Sequence, residues 1–318
     1  MSEQIYIGVD LGGTTVKVGI CDKDGKLVQT YEGPTESEGG YELVTDNINT
    51  YVKKIVESST YSWDNVAGIG AGIAGFVDKN GFVKKAANLG WENVHVKNVL
   101  EEKIGKPVIV NNDANVAALG EAWSGAGAGA GVSDVVCYTL GTGVGGGIII
   151  ENKIHQGFNG MAGEIGHMSV VPDLEAIQCG CGQKGCLETV SSATGIIRMA
   201  KDAVERGDRT SLSLLETITA KDVFDAARVN DEVAIRIVKR AAYYLGRSMS
   251  ALAVVLNPQR FIVGGGVSKA GDILFDQVRE NFKTFTPGAL QEGVDIVPAK
   301  LGNDAGIVGA AGLNLFKI

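Results

Sequence analysis

The stretches "IYIGVDLGGTTVKVGICDKDG" (residues 5–25) and "VVCYTLGTGVGGGIIIENKI" (residues 135–154) follow one plan. Each runs from an apolar strand through a turn rich in glycine and threonine into a second apolar strand. In the first, Asp24-Gly25 carries the signal of a two-residue hairpin, and "LVQTYEG" continues as a third strand. Two such units, about 130 residues apart, point to an internal duplication.

Helices and strands alternate after each unit. From Gly40 to Ser59, apolar residues at Tyr41, Val44, Ile48, Val52 and Ile55 mark one face of a helix. "VAGIGAGIAG" (66–75) reads as a buried strand, and "FVDKNGFVKK" (76–85) as a hairpin around Asn80-Gly81. A helix near 98–105 is stopped by Gly105 and Pro107, followed by the strand "VIVNND" (108–113) and a helix from Ala114 to Trp123. The second half predicts helices near 192–206, 220–229 and 231–256, then the strand "RFIVGGGVS" (260–268). A helix from about 271, the strand "VDIVPAKLG" and a terminal helix from Ala305 complete the chain. This order predicts an α/β protein of two domains with the ligand site in a cleft between them. The expected boundaries are 1–112 with about 302–318 for a small domain, and 113–301 for a large one.

Composition removes several classes of function. With 29 basic against 37 acidic residues the net charge is −8, so the basic face that nucleic acid requires is missing. No uninterrupted run of about 18 apolar residues marks a membrane span. "MSEQIYIGVD" lacks a basic segment followed by an apolar one, so a cytoplasmic protein with reduced thiols is expected. Glycine is the outlier: 45 of 318 residues is about twice the usual share, clustered in short loops that suit close approach to a ligand. The run "SGAGAGAGV" (124–132) precedes a strand rather than a helix and reads as a flexible connector.

Three glycine loops are candidates for phosphate. In "DLGGTTVKVG", Gly12 and Gly13 admit a ligand to the backbone, Thr14 and Thr15 add hydroxyls, and Lys17 reaches the same place. Asp10 at the strand end can hold Mg²⁺, which prefers oxygen ligands; the plainer alternative is a hairpin with a buried acid. "LGTGVGGG" (140–147) repeats the donors through Thr142 and Gly143. "VGGGVS" (263–268), with Gly265 and Gly266, offers flat backbone to a base or ribose. Neither a G-x-x-x-x-G-K-[ST] loop nor a strand–GxGxxG–helix opens the chain.

"VNNDANVAALGE" (110–121) sets Asn112 and Asp113 where a strand becomes a helix. Asp113 can cap that helix, or act as the base that deprotonates a hydroxyl attacking a phosphoryl group, with Asn112 orienting the substrate. "GEIGHMSVVPDLEAIQCGCGQKGCLE" (163–188) gathers Cys179, Cys181 and Cys186, with His167 upstream. Three thiolates and one imidazole match the tetrahedral preference of structural zinc. A redox pair favours C-x-x-C, a disulfide leaves one cysteine over, and inert reduced thiols remain the alternative. A zinc ion here fixes Glu164 and Glu188, two carboxylates able to accept hydrogen bonds from a sugar.

Taken together, "DLGGTTVKVG", "GIGAGIAGFVD", "VNNDANVAALGE", "LGTGVGGGII", "GEIGHM", "CGCGQKGCLE", "FIVGGGVS" and "LGNDAGIVGAA" closely resemble the ROK family, and within it the bacterial glucokinases. The resemblance implies an actin-like ATPase (ribonuclease H-like) fold and phosphorylation of glucose by ATP and Mg²⁺, with Asp113 as base. It implies zinc on His167, Cys179, Cys181 and Cys186, and sugar contacts from Gly75, Asn88, Asn112, Asp113, Glu164, His167 and Glu188. ROK kinases form dimers, sometimes tetramers. Kinases for N-acetylmannosamine, fructose, mannose or allose, a polyphosphate donor, and a non-catalytic sugar sensor are the alternatives. One departure is visible: Ala74 stands where the family often has proline.

Overall fold

The structure, a computed structural model, describes residues 4–129 and 131–316. Ala130, inside the Gly-Ala run, lies outside the described residues.

The first sheet contains β1 (Ile5–Leu11), β2 (Thr15–Cys21), β3 (Leu27–Pro34), β4 (Val66–Ile73) and β8 (Val108–Asn112), ordered β3-β2-β1-β4-β8. A small sheet of β5 (Phe76–Val77), β6 (Val83–Ala86) and β7 (Trp91–Val94) lies between β4 and β8 in the chain. The second large sheet contains β9 (Val135–Leu140), β10 (Val144–Ile150), β11 (Lys153–Ile154), β12 (Arg260–Gly264) and β13 (Asp295–Pro298), ordered β11-β10-β9-β12-β13. Each large sheet thus runs third, second, first, fourth, fifth strand, the topological form of the duplication expected from the paired sequences.

The helices are α1 (Gly40–Glu57), α2 (Val96–Ile104), α3 (Asp113–Ser124), α4 (Glu188–Ser191), α5 (Ala193–Glu205), α6 (Ala220–Arg228), α7 (Glu232–Leu256), α8 (Asp272–Phe285) and α9 (Ala305–Gly312). Among the described residues, no helix is long and apolar enough to cross a membrane. Helix α1 buries Val44, Ile48, Val52 and Ile55 as its periodicity predicts, while Tyr41 at its start is exposed.

The chain divides into two compact units. One holds the residues up to Val135, Gly147–Gly163 and those from Lys300 on; the other holds Val136–Gly146 and Glu164–Ala299. Helix α3 therefore belongs with the first unit, where the sequence reading set a boundary in front of it. Its packing explains why. Helix α9 lies so close to the first sheet that a methyl group on Gly8 would overlap the Ile307 carbonyl. Helix α3 lies equally close to α9, since a methyl on Gly309 would overlap the Val116 carbonyl. Backbone-to-backbone contact of this kind gains dispersion along the helix and tolerates no side chain at the crossing.

Glu121 near the end of α3 is 4% exposed, yet its carboxylate is saturated. It accepts hydrogen bonds from the amides of Ala126 (2.8 Å), Lys300 (3.0 Å) and Leu301 (2.7 Å). The start of the Gly-Ala run, read from sequence as a flexible connector, is thereby pinned at Ala126, and so is the chain re-entering from β13. Asparagine's smaller reach or alanine's lack of acceptors strands these buried donors. Glu121→Ala is expected to cost about 3–5 kcal/mol, read from urea unfolding.

Candidate active site

Strands β1, β4 and β8 are parallel and end in register, Leu11 opposite Ile73 and Ile73 opposite Asn112. Ligands of such sheets collect at this carboxyl edge. Asp10, Gly75, Asn112 and Asp113 all lie there.

The 12–15 turn closes by a hydrogen bond from the Gly12 amide to the Thr15 carbonyl at 3.0 Å. Fully buried Thr35 braces it, its hydroxyl donating to the Gly12 carbonyl (2.7 Å) and its amide to the Thr14 carbonyl (2.9 Å). Thr35 escaped the sequence reading because a threonine ending a strand carries no motif. A Cβ at Gly13 would meet the Asn88 carbonyl at 3.0 Å, so glycine is what lets Asn88 sit against this turn. Lys17 faces Asp10 across the β1–β2 ladder.

Burial pushes the Asp10 carboxyl up to about 6, with Asp113 adding to the rise and Lys17 opposing it. On the other side Asp10 meets the first turn of α9, where a Cβ at Gly306 would lie 2.7 Å from its carboxylate. Gly306, within "LGNDAGIVGAA", makes room for this acid. The raised value fixes a sign. The native state binds the Asp10 proton more tightly than the unfolded state, so stability falls as pH rises from 3.8 to about 6 and stays low above. Asp10→Asn should therefore stabilise the ligand-free protein by about 3 kcal/mol at pH 8 and by nothing below pH 4. Paired urea titrations at the two pH values check this.

Asp113 does not cap its helix. Asn112 does, its side-chain oxygen accepting from the amides of Ala114 (2.9 Å) and Asn115 (3.2 Å). The same side chain donates to the Gly75 carbonyl (2.9 Å) and to Asp113 Oδ1 (3.0 Å). Asn112 thus ties the edges of β4 and β8 together and aims the Asp113 carboxylate. Burial raises the Asp113 pKa above the usual carboxylate range, against hydrogen bonds from the backbone and from Asn112 that lower it. A carboxylate made more basic in this way is suited to accept a proton.

In the second unit, the ligand atoms of His167, Cys179, Cys181 and Cys186 all lie within 4.8 Å of one another. His167 Nδ1 is 3.7 Å from Cys179 Sγ, and the Cys181 and Cys186 sulfurs are 3.6 Å apart. A zinc–sulfur bond of ~2.3 Å in a tetrahedron demands sulfur–sulfur edges of about 3.8 Å, so the set fits a tetrahedral ion. Left-handed glycines, Gly182 at φ 94° and Gly185 at φ 75°, make the reversal. Burial holds the Cys186 thiol up to about 12, whereas the Gln183 amide lowers the exposed Cys181. A divalent cation is what would ionise the whole set. His167 turns its other nitrogen, Nε2, toward Glu164 at 4.0 Å. Metal and sugar roles can therefore fall to opposite edges of one ring.

Glu188 opens α4 two residues past the last cysteine. Its Oε2 accepts from the Val144 amide at 3.0 Å, and its Oε1 is 3.6 Å from Cys179 Sγ. A methyl group on Gly143 would overlap that carboxylate. Gly265, at φ 85°, presses on the Leu140 carbonyl, which sets the third glycine run beside the end of β9; Gly266 follows as the cap of a short turn. Contacts thus join the residues singled out from sequence in groups: Gly12, Gly13, Thr14 and Thr15 with Asn88, Asp10 with Lys17 and Asp113, and Gly75 with Asn112 and Asp113 in the first unit; Glu164, His167, Glu188 and Gly143 with the cysteines in the second, where Thr142 adjoins Gly143, and Gly265 and Gly266 lie by the end of β9.

The ROK family model matches residues 6–316. A glucokinase of Halalkalibacterium halodurans is 45% identical over 98% of this chain and 96% of its own. A glucokinase of Streptomyces coelicolor is 38% identical over 97% of both chains. A solved ROK family glucokinase from Streptomyces griseus, in complex with glucose and AMPPNP, superposes with a TM-score of 0.76 at 39% identity, covering 97% of this chain and 98% of that one. The chain belongs to the ROK family, and its fold is that of the ROK sugar kinases, the actin-like ATPase fold.

Proposed function

We propose that this chain is a glucokinase, transferring the γ-phosphoryl group of ATP to the 6-hydroxyl of glucose. The observation that carries the reading is the Asp113 carboxylate. It is relieved of helix capping by Asn112, oriented by the same side chain, and made basic by burial. Asp113 takes the hydroxyl proton as the oxygen attacks phosphorus and ADP departs. Asn112, Gly75 and Asn88 shape the sugar side of the first unit. Glu164, His167 and Glu188 accept or donate to further hydroxyls, each of which loses water on binding and needs a partner.

Gly12, Gly13, Thr14, Thr15 and Lys17, together with Thr142 and Gly143, are assigned to the phosphates, and Gly265 and Gly266 to the nucleoside. Asp10 is assigned to Mg²⁺, which supplies positive charge to an otherwise acidic protein at the phosphates. His167, Cys179, Cys181 and Cys186 are assigned to a structural zinc ion. The working form is a cytoplasmic homodimer or tetramer.

The test is ADP release over glucose, mannose, fructose, N-acetylmannosamine and N-acetylglucosamine, with ATP and with polyphosphate. At least tenfold higher kcat/KM for glucose with ATP is expected. Preference for another hexose would keep the kinase and reassign its pocket. Silence on every sugar with both donors would favour a sugar sensor.

A further inference from the structure

The stretch from Gly166 to Thr194, which contains the cysteines and the start of α5, holds the β9–β10 turn at four places. Glu188 Oε2 accepts the Val144 amide at 3.0 Å. Gly166, between Glu164 and His167, packs so tightly on the Val144 carbonyl that a methyl group would overlap it. The Ala193 amide donates to the Gly141 carbonyl at 2.9 Å, and the Thr194 hydroxyl donates to the Thr142 carbonyl at 2.8 Å. Within the turn, the Gly141 amide closes on the Gly143 carbonyl at 3.0 Å. The carbonyls of Gly141, Thr142, Gly143 and Val144 are thereby all occupied or packed from the 166–194 side or from within. With its carbonyls fixed, the orientation of every peptide plane in the turn is fixed, and with it the direction of each N–H available to an anion.

We propose that Thr194 is a positioning residue for nucleotide phosphate, and that residues 188–194 transmit the order of the cysteine–histidine cluster to the 141–144 turn. This rests on the reading of that turn as a phosphate loop. Thr194 is none of the residues assigned above to phosphate, nucleoside, sugar or metal, and its hydroxyl bonds to the Thr142 carbonyl. It acts by holding the Thr142 peptide in one orientation, so its loss weakens nucleotide binding and spares the sugar. A purely structural threonine on α5 would affect both ligands or neither.

Thr194 is exposed, so Thr194→Val removes the hydroxyl with little risk to folding. Calorimetric titration of the metal-loaded protein with a non-hydrolysable ATP analogue and, separately, with glucose supplies the readout. The valine variant should bind the analogue about two- to tenfold more weakly, the effect of one neutral hydrogen bond, with glucose affinity within about twofold of native. Thr194→Ser should restore native nucleotide affinity. Amide hydrogen exchange across 142–146 should quicken in the valine variant alone. Unchanged analogue affinity in the valine variant, or parallel loss of both ligands, would overturn the positioning role and leave the kinase reading standing. A native protein that binds no ATP analogue at all would overturn both.

Discussion

Asp113→Asn lowers kcat by a factor of about 10²–10⁴, the usual contribution of a positioned general base, while the glucose dissociation constant stays within about threefold of native. The amide is isosteric with the carboxylate and keeps an oxygen toward the Asn112 amide, 3.0 Å away in the native protein. Sugar binding therefore survives. The hydroxyl proton, however, has nowhere to go. Burial raises the Asp113 pKa, so activity of the native enzyme falls as pH drops through that raised value, and the residual rate of the asparagine variant loses this acid limb. A variant rate within tenfold of native places the base elsewhere.

Cys181→Ser is the second large effect. Cys181 is the exposed member of the cluster and the one whose thiol is shifted toward the thiolate, by the Gln183 amide. Serine removes one of four ligands, and the protein should lose its single zinc per chain on dialysis. A metal present at about 1,000 times its dissociation constant stabilises the native state by about 4 kcal/mol. Its loss should lower Tm by roughly 6 °C in a protein of 318 residues and raise the KM for glucose, since Glu164, His167 and Glu188 lose their common anchor. Elemental analysis that finds no zinc in the native protein, or an unchanged Tm in the variant, contradicts the assignment.

The frame of the molecule was legible because it is written in strong local signals. Apolar runs broken by Asp-Gly and Asn-Gly turns, helical spacing in 40–59, and the paired strand–turn–strand units each follow from backbone rules that act within a few residues. The cysteine cluster was legible for the same reason, since chemistry confines its ligand types. What sequence left hidden depends on contacts far apart in the chain. Nothing near Glu121 announces that it accepts amides about 180 residues downstream. Thr35 and Gly306 are equally silent, one bracing the 12–15 turn and the other making room for Asp10. Choosing between Asn112 and Asp113 as the cap was also beyond the pattern, because both residue types cap well. Only the β-region backbone of Asn112, with φ −64° and ψ 145°, decides it.

These hidden residues share a physical character. Glu121, Thr35 and the capping Asn112 are polar groups at the ends of apolar strands and helices, and each bonds to backbone groups. Such networks rigidify a site because a partly satisfied one costs more than none. The stability lost by keeping the half-buried Asp10 ionised is the local counterpart of that order.

Product formation from glucose, ATP and Mg²⁺, following glucose 6-phosphate and ADP together at pH 8 in native and Asp113→Asn proteins, tests a glucokinase with Asp113 as base. The account predicts one glucose 6-phosphate for each ADP in the native enzyme and at least a hundredfold lower rate in the variant. ADP released without sugar phosphate, or equal rates in the two proteins, would contradict it.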